Sequence, residues 1–379
     1  MVDSKNKEKG EGFNNYSLAS PRFWHGMTTP VWWHLLASHG FRISPQKAHH
    51  WFGVGLFTPF NDAMAMMQHL LHGRRIAQTE LAGPPLFILG HWRSGTTYLH
   101  ELLQLDQRYA SPNTFQCFAP WHFLLSEKLA CRFFQFLLPE QRPMDNMKAG
   151  WELPQEDEFA LMNLGAATHY TRIAFPSDPY PDDKPLSEKE LAYWKSCLDW
   201  FMRALTYHYA KPLVMKSPPH TGRIGILAEM YPQAKFIHIV RDPRKLFPST
   251  VRLWNALDHF QSLQIVKDPD RIESFVFESH KRMYRHYHAH APSIPSNRLI
   301  EIHYEKLVED PVASLQSIYD QLELGQFEQV RSRIADRKQA DQNYKTNQFK
   351  QDGELEKRIL EEWHDYAARY GYLTPAASA

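Results

Sequence analysis

The sequence predicts an α/β fold in which helices cover both faces of a parallel sheet. Four short apolar runs, at residues 85–90, 212–216, 235–240 and 298–304, have the length and composition of buried strands. Apolar residues at helical spacing fill the stretches between them, as expected for parallel strands joined by crossover helices. Ligands of such sheets bind at the carboxyl ends of the strands, so we expect the functional groups at that edge.

The domain that contains the sheet is expected to occupy residues 84–379. Residues 1–16 are charged and polar and are expected to be a disordered tail. Residues 17–83 are expected to form a helical extension. An aromatic-rich insertion at residues 110–211 separates the first strand unit from the second, and we expect it to build the pocket for an acceptor molecule.

The first strand runs into a loop suited to binding an anion. Backbone N–H groups of such a loop converge at a helix N-terminus, where the helix dipole adds about half a positive charge. Gly90 and Gly95 have the spacing of an ATP-binding P-loop, but Thr96 stands where that loop has its lysine. An alternative is an ordinary strand–turn–helix in which Ser94 or Thr96 caps the helix.

Two further residues after the third strand suit a second phosphate. Arg241 directly follows the run at 235–240, and Ser249 lies eight residues later on a helical stretch. A phosphomonoester dianion is well bound by a guanidinium fork together with a hydroxyl on a helix. The alternative for Arg241 is a surface ion pair with Asp242 or another nearby acid.

These motifs together resemble the sulfotransferases that use 3′-phosphoadenosine 5′-phosphosulfate (PAPS). The family's 5′-phosphosulfate loop reads [RK]-S-G-T-T, and the arginine form found here is similar to the loop of tyrosylprotein sulfotransferases and bacterial relatives. The resemblance implies a P-loop-type fold, PAPS as co-substrate, 3′,5′-ADP as product and no metal ion. It assigns the 3′-phosphate to Arg241 and Ser249, and the 5′-phosphosulfate to Arg93, Ser94, Gly95, Thr96 and Thr97.

Three more positions follow from the same resemblance. Lys216, at the end of the second strand, would contact the bridging oxygen of the phosphosulfate; alternatively it is a solvated lysine. Residues 304–311 read Tyr-Glu-Lys-Leu-Val-Glu-Asp-Pro and are similar to a late family signature whose tyrosine, here Tyr304, lies near the nucleotide. Lys345 could supply the basic residue of a loop that closes over the nucleotide, although an exposed lysine in a mobile loop is the alternative.

The base that accepts the acceptor's proton is expected in the acidic segment 151–159. Crowded carboxylates raise one another's pKa toward the range useful for catalysis. If both glutamates lie on one helix they cannot share a face, and we favour Glu158 over Glu156 because apolar neighbours turn its side inward. The alternative is an acidic first helical turn without a catalytic role. His220 and His100 are reserve candidates.

The sequence indicates only the general chemical class of the acceptor. Tyrosylprotein sulfotransferases take their base from a glutamate shortly after the first helix, whereas residues 112–116 here contain no acid. This departure argues against a protein tyrosine. The aromatic insertion indicates a bulky, apolar small molecule, lipid or glycan that carries a hydroxyl or an amine.

Charge and cysteine content indicate which binding partners and which cellular compartment to expect. A net charge of +1 argues against a nucleic-acid platform, which needs a cationic face. The three cysteines have neither a disulfide-framework nor a metal-site spacing, which favours a reducing compartment. The sequence shows neither a secretory signal nor a run of about 18 apolar residues. We therefore expect a cytoplasmic protein, and the oligomeric state stays open.

Residues 20–82 are rich in aromatic side chains, methionine and histidine, and three interpretations compete. They could form an accessory helical layer on the core. They could form a surface that associates peripherally with a membrane, given the tryptophans and the pair Arg74 and Arg75. They could also bind a metal ion through their histidines, although cysteine and paired acidic ligands are missing.

The function predicted from these features is sulfuryl transfer from PAPS to a hydroxyl or amine. Two alternatives use the same fold: a metal-dependent nucleotide kinase or NTPase, and a nucleotide-binding scaffold without catalytic activity.

Overall fold

Four parallel strands form the sheet at the centre of the molecule. A computed structural model describes residues 20–138, 148–177, 186–266, 268, 270–340 and 353–373. The strand order is β2-β1-β3-β4, and all three pairings are parallel. The strands are β1 (Leu86–Leu89), β2 (Val214–Lys216), β3 (Lys235–Val240) and β4 (Leu299–His303). The predicted parallel sheet is confirmed, with each strand within two residues of its expected ends.

Helices occupy most of the remaining described chain, with short 3₁₀ turns between them. The α-helices are α1 (Thr29–Ser38), α2 (Ala48–Gln78), α3 (Thr96–Leu103), α4 (Thr114–Phe118), α5 (Phe123–Phe133), α6 (Glu158–Asn163), α7 (Thr171–Ala174), α8 (Glu188–Tyr209), α9 (Ile224–Met230), α10 (Pro243–Gln261), α11 (Asp270–His290), α12 (Tyr304–Glu309), α13 (Pro311–Gln321), α14 (Glu328–Ala340), α15 (Gly353–Glu362) and α16 (His364–Arg369).

The side chains of β1 point alternately to the two faces of the sheet, and both faces are covered. Phe87 and Leu89 pack into a large apolar cluster that includes the insertion and the N-terminal helices. Leu86 and Ile88, which point the other way, pack into a second cluster with α3, α13 and α14. Because both faces are apolar and buried, the polar chemistry is left to the strand ends.

The N-terminal segment packs on the insertion, where the Phe23 ring contacts Phe118 and Phe159, and on α10. Trp24 and Trp32 are almost fully buried, and Trp24 Nε1 donates to the carbonyl of Gln261 at 3.0 Å. The outer side of α2, in contrast, exposes many apolar side chains. Within the described residues, no helix has the length and hydropathy needed to cross a membrane, and no group of three potential metal ligands is found.

Candidate functional site

The loop between β1 and α3 has a strained, closely packed backbone. Gly95 caps α3 with a φ of +103°, and Arg93 also has a positive φ of +68°. The helix therefore begins after a glycine, and the alternative in which Ser94 or Thr96 caps it is wrong. The Ser94 hydroxyl is buried without a hydrogen-bond partner among the described residues. A buried donor of this kind is suited to an incoming anion.

Gly95 also allows a close approach of the Tyr304 ring. A Cβ atom at position 95 would overlap Tyr304. Gly95→Ala is therefore expected to lower the free energy of unfolding by about 2–4 kcal/mol, from backbone strain and overpacking together. Urea unfolding would measure this loss.

A second glycine provides the control for that substitution. Gly53 lies inside α2, and a Cβ there would meet nothing within 4 Å. Gly53→Ala is expected to raise stability by about 0.5–1 kcal/mol, because alanine loses less backbone entropy in a helix. Equal effects at both positions would show that the approach of Tyr304 to the loop is unimportant.

Arg93, Arg241, Ser249 and Tyr304 form one cluster beside this loop. Arg93 Nε donates to Ser249 Oγ at 3.0 Å, and Arg241 Nη1 donates to the carbonyl of Arg93 at 2.8 Å. The Arg241 guanidinium lies 4.4 Å from the centre of the Tyr304 ring. Arg93, Arg241 and Tyr304 follow the ends of β1, β3 and β4, Ser249 lies on α10, and the fold brings the four residues together.

The Arg241 guanidinium forms no ion pair with a carboxylate of the described residues. Among the described residues, no carboxylate oxygen lies within 4 Å of its guanidinium, and Asp242 pairs instead with Arg244 at 2.8 Å. The alternative of an Arg241–Asp242 ion pair is therefore wrong. Burial lowers the pKa of the Arg241 guanidinium, and the charge of Arg93 acts in the same direction. Two neighbouring cations at a strand end would be stabilised by an anion.

Lys216 lies on the other side of the loop, at the end of β2. Its side chain is 1% exposed, so the alternative of a solvated lysine is wrong. Nζ lies 2.8 Å from Glu156 Oε1 and 3.4 Å from Thr97 Oγ1. The lysine thus joins the acidic segment of the insertion to the first turn of α3.

Glu156 is the carboxylate that faces this lysine. It precedes α6, and its side chain is 16% exposed. Its second oxygen accepts from the Tyr170 hydroxyl, which in turn accepts from Trp92 Nε1 at 3.0 Å. Burial raises the pKa of Tyr170 well above its ordinary value, as does the Glu156 charge. The phenol therefore stays protonated and can donate to the carboxylate.

The structure does not favour Glu158, the glutamate preferred from the sequence. Glu158 begins α6, and its carboxylate is fully buried against Arg223 at 2.7 Å. Arg223 in turn lies 4.5 Å from the centre of the Trp194 ring. The premise that both glutamates lie on one helix was wrong, because α6 starts only at Glu158. Of the two, Glu156 is the one that contacts Lys216.

The two reserve histidines are both engaged within the core. His220 Nε2 lies 2.5 Å from Asp157 Oδ2, and both side chains are fully buried. Burial alone would raise the pKa of Asp157, but His220 and a hydrogen bond from Ser217 hold it below its ordinary value. His100 is fully buried beside Ser111 at 2.9 Å. Neither histidine is favoured as a base for an external molecule.

Some site residues lie outside the sequence prediction, and one predicted residue lies outside the described structure. Lys345 lies within 341–352, which is outside the described residues. Tyr170 and Trp92 were missed; Trp92 adjoins the recognised loop, whereas nothing in the sequence marks Tyr170. Tyr366 on α16 was also missed, although its hydroxyl accepts from the Arg241 N–H and donates to the Arg241 carbonyl, both at 3.0 Å.

Comparison with known proteins gives consistent results at the level of sequence. A model of the sulfotransferase family matches residues 84–329. Two relatives share 36% identity over 356 residues, which covers 92% of this chain and 91% of each relative. Both are named omega-hydroxy-beta-dihydromenaquinone-9 sulfotransferase Stf3, one from Mycobacterium bovis and one from Mycobacterium tuberculosis.

Solved structures resemble the chain in fold. The sulfotransferase STF9 from Mycobacterium avium gives a TM-score of 0.61 at 16% identity, covering 91% of this chain and 96% of that one. The sulfotransferase STF1 from Mycobacterium tuberculosis gives 0.59 at 16% identity, covering 88% and 90%. At this identity the likeness shows a shared fold.

Proposed function

The chain belongs to the sulfotransferase family, and we propose that it uses PAPS to sulfate a hydroxyl group on an apolar, lipid-like acceptor. Family membership decides between the functions considered from the sequence: the chain is a sulfotransferase rather than a nucleotide kinase or an NTPase.

One observation carries the choice of donor. Arg241 presents a largely buried guanidinium without a carboxylate partner among the described residues, next to Arg93 and Ser249. A nucleotide that carries a 3′-phosphate would supply the missing anion. The unpartnered Ser94 hydroxyl and the left-handed Gly95 fit a phosphosulfate at the neighbouring loop.

The proposed reaction needs two groups near the sulfur, and Lys216 and Glu156 are suited to them. The acceptor oxygen forms a bond to sulfur while the bond from sulfur to the bridging phosphate oxygen breaks. Glu156 takes the proton from the acceptor hydroxyl, and Lys216 neutralises the charge that develops on the leaving phosphate. The hydrogen bond from Tyr170 orients the carboxylate.

The acceptor class rests on a relative and on the composition of the insertion. The relatives' name specifies a menaquinone derivative with an omega-hydroxyl group, which is a long apolar molecule ending in an alcohol. Phe159 and Tyr170 of the insertion, together with Trp92 of the loop between β1 and α3, place three neighbouring aromatic rings next to Glu156. We therefore propose a hydroxylated isoprenoid or quinone lipid as the acceptor.

Nucleotide binding provides the first test of this proposal. Calorimetry is expected to show tight, magnesium-independent binding of 3′,5′-ADP and much weaker binding of ATP, because the cluster around Arg241 favours a 3′-phosphate. Labelled PAPS would then be supplied with omega-hydroxylated isoprenoid quinones and with short polar alcohols. Magnesium-dependent ATP binding without a response to 3′,5′-ADP would contradict the donor assignment, and transfer to the polar alcohols alone would contradict the acceptor class.

A further inference from the structure

The outer side of α2 is an apolar surface that nothing else in the described structure covers. The helix contains 31 residues, or a length of about 47 Å at 1.5 Å per residue. Seven large apolar side chains of α2 are each more than half exposed, and we call them the outer apolar face. They are Phe52, Leu56, Phe57, Phe60, Met66, Leu70 and Leu71.

The inward side of the same helix is largely polar, since four of its six buried residues are polar and only Val54 and Ile76 are apolar. Asn61 donates to the carbonyls of His25 and Met27 at 2.6 and 2.8 Å. Gln68 accepts from the backbone of Leu124 at 2.9 Å. A helix on the surface of a soluble protein normally turns its apolar stripe inward and its polar side to water. Here buried polar side chains help to hold the helix in place, and most of its large apolar side chains face out.

A neighbouring helix extends the exposed apolar surface. α5 contacts α2 through the Gln68–Leu124 hydrogen bond. Leu129 and Phe133 on α5, and Phe136 just beyond it, are 61%, 55% and 76% exposed. The exposed apolar area therefore spans two packed elements and exceeds the scattered single residues found on most protein surfaces.

The charged residues carried by α1, α2 and α5 are mostly basic. Four of the five Lys, Arg, Asp and Glu residues between 29 and 78 are basic, and the pair Arg74 and Arg75 is exposed. The one acid, Asp62, accepts from the Thr29 N–H at 2.8 Å. On α5, Glu127 turns inward to Gln116, while Lys128 and Arg132 are exposed.

We propose that the outer apolar face docks on the surface of an anionic lipid bilayer. Phenylalanine, leucine and methionine side chains would enter the boundary between headgroups and acyl chains, and Arg74, Arg75, Lys128 and Arg132 would meet the lipid phosphates. A second copy of this chain fits less well. A twofold interface places a patch against itself, so exposed charges of one sign would repel.

This docking would complement the proposed function without depending on it. A lipid-like acceptor resides in the bilayer, and a protein seated there would reach it without extracting it into water. That benefit rests on the proposed acceptor class. Docking itself requires neither nucleotide nor acceptor, so it can be measured separately from sulfuryl transfer.

Vesicle flotation of the full-length protein tests the proposal. We expect it to float with acceptor-free vesicles of mixed phosphatidylcholine and phosphatidylglycerol, and less with phosphatidylcholine alone or at high salt. The triple substitution Leu56→Glu, Phe60→Glu and Leu70→Glu should lower the partition coefficient by at least about tenfold. Its melting temperature and its affinity for 3′,5′-ADP should stay unchanged, because all three side chains are exposed.

Two further variants separate the contribution of the outer apolar face from that of the basic residues. Val308→Glu places the same charge at an exposed apolar position on α12 and should leave flotation unchanged. Arg74→Ser with Arg75→Ser should weaken binding to the anionic vesicles only. If the wild-type protein stays unbound, or if the triple variant floats equally well, the proposal is wrong. A wild-type dimer in light scattering that the triple substitution splits, without vesicle binding, would assign the face to a second copy.

Discussion

Glu156→Gln is expected to lower kcat for sulfuryl transfer by about 10²- to 10⁴-fold, the range for loss of a general base. Glutamine keeps the size of the side chain and can still accept from Lys216, but it cannot take up the acceptor's proton. Affinity for 3′,5′-ADP should therefore change little. Single-turnover transfer from labelled PAPS would measure the chemical step, and calorimetry would measure nucleotide binding.

Glu158→Gln is the matched control, two positions away. The Glu158 carboxylate is buried against Arg223, so this substitution should mainly lower stability, by about 1–3 kcal/mol. The folded fraction should keep near-normal turnover. Normal turnover in Glu156→Gln, combined with loss of transfer in folded Glu158→Gln, would return the base to the residue that the sequence favoured.

The sheet and the anion loop could be predicted from the sequence because their signals are local. β1 and β3 are short apolar runs, and each is followed directly by the residues of a recognisable motif. In a parallel sheet the carboxyl ends of strands share one edge, so order along the chain is enough to place Arg93, Lys216 and Arg241 together. The motifs and the sheet topology therefore both indicated that these three residues lie close together.

The choice between the glutamates could not be made in this way. Helical periodicity indicates that a helix is present, but it does not locate the first residue, and α6 begins at Glu158 rather than before Glu156. The partners that distinguish the two carboxylates, Lys216 and Arg223, are about sixty residues distant in sequence. Their pairing is a result of tertiary packing.

The orientation of α2 was also beyond the sequence. The sequence left open whether its apolar residues pack on the core or form an exposed surface that associates with a membrane. The buried hydrogen bonds of Asn61 and Gln68 to other segments show that polar side chains of α2 face inward. Sequence periodicity shows that a helix has a polar side and an apolar side, but it does not show which of the two faces the core.

Arg241→Ala is expected to weaken binding of 3′,5′-ADP by about 30- to 1,000-fold, or roughly 2–4 kcal/mol, as for loss of one partner of a partly buried, charge-assisted pair. Binding of 5′-AMP, which lacks the 3′-phosphate, should weaken far less. Some effect on both nucleotides is expected because Arg241 Nη1 also holds the Arg93 carbonyl. The ratio of the two affinities, measured by calorimetry, is therefore the informative quantity.

Arg244→Ala removes the same charge three positions away and serves as the control. Arg244 is already paired with Asp242 at 2.8 Å, so its loss should change the field near the site without removing a phosphate ligand. A drop in 3′,5′-ADP affinity equal to that of Arg241→Ala would point to general electrostatics. If Arg241→Ala instead weakens both nucleotides equally, Arg241 acts by supporting the loop through the Arg93 carbonyl, and the 3′-phosphate must be bound elsewhere.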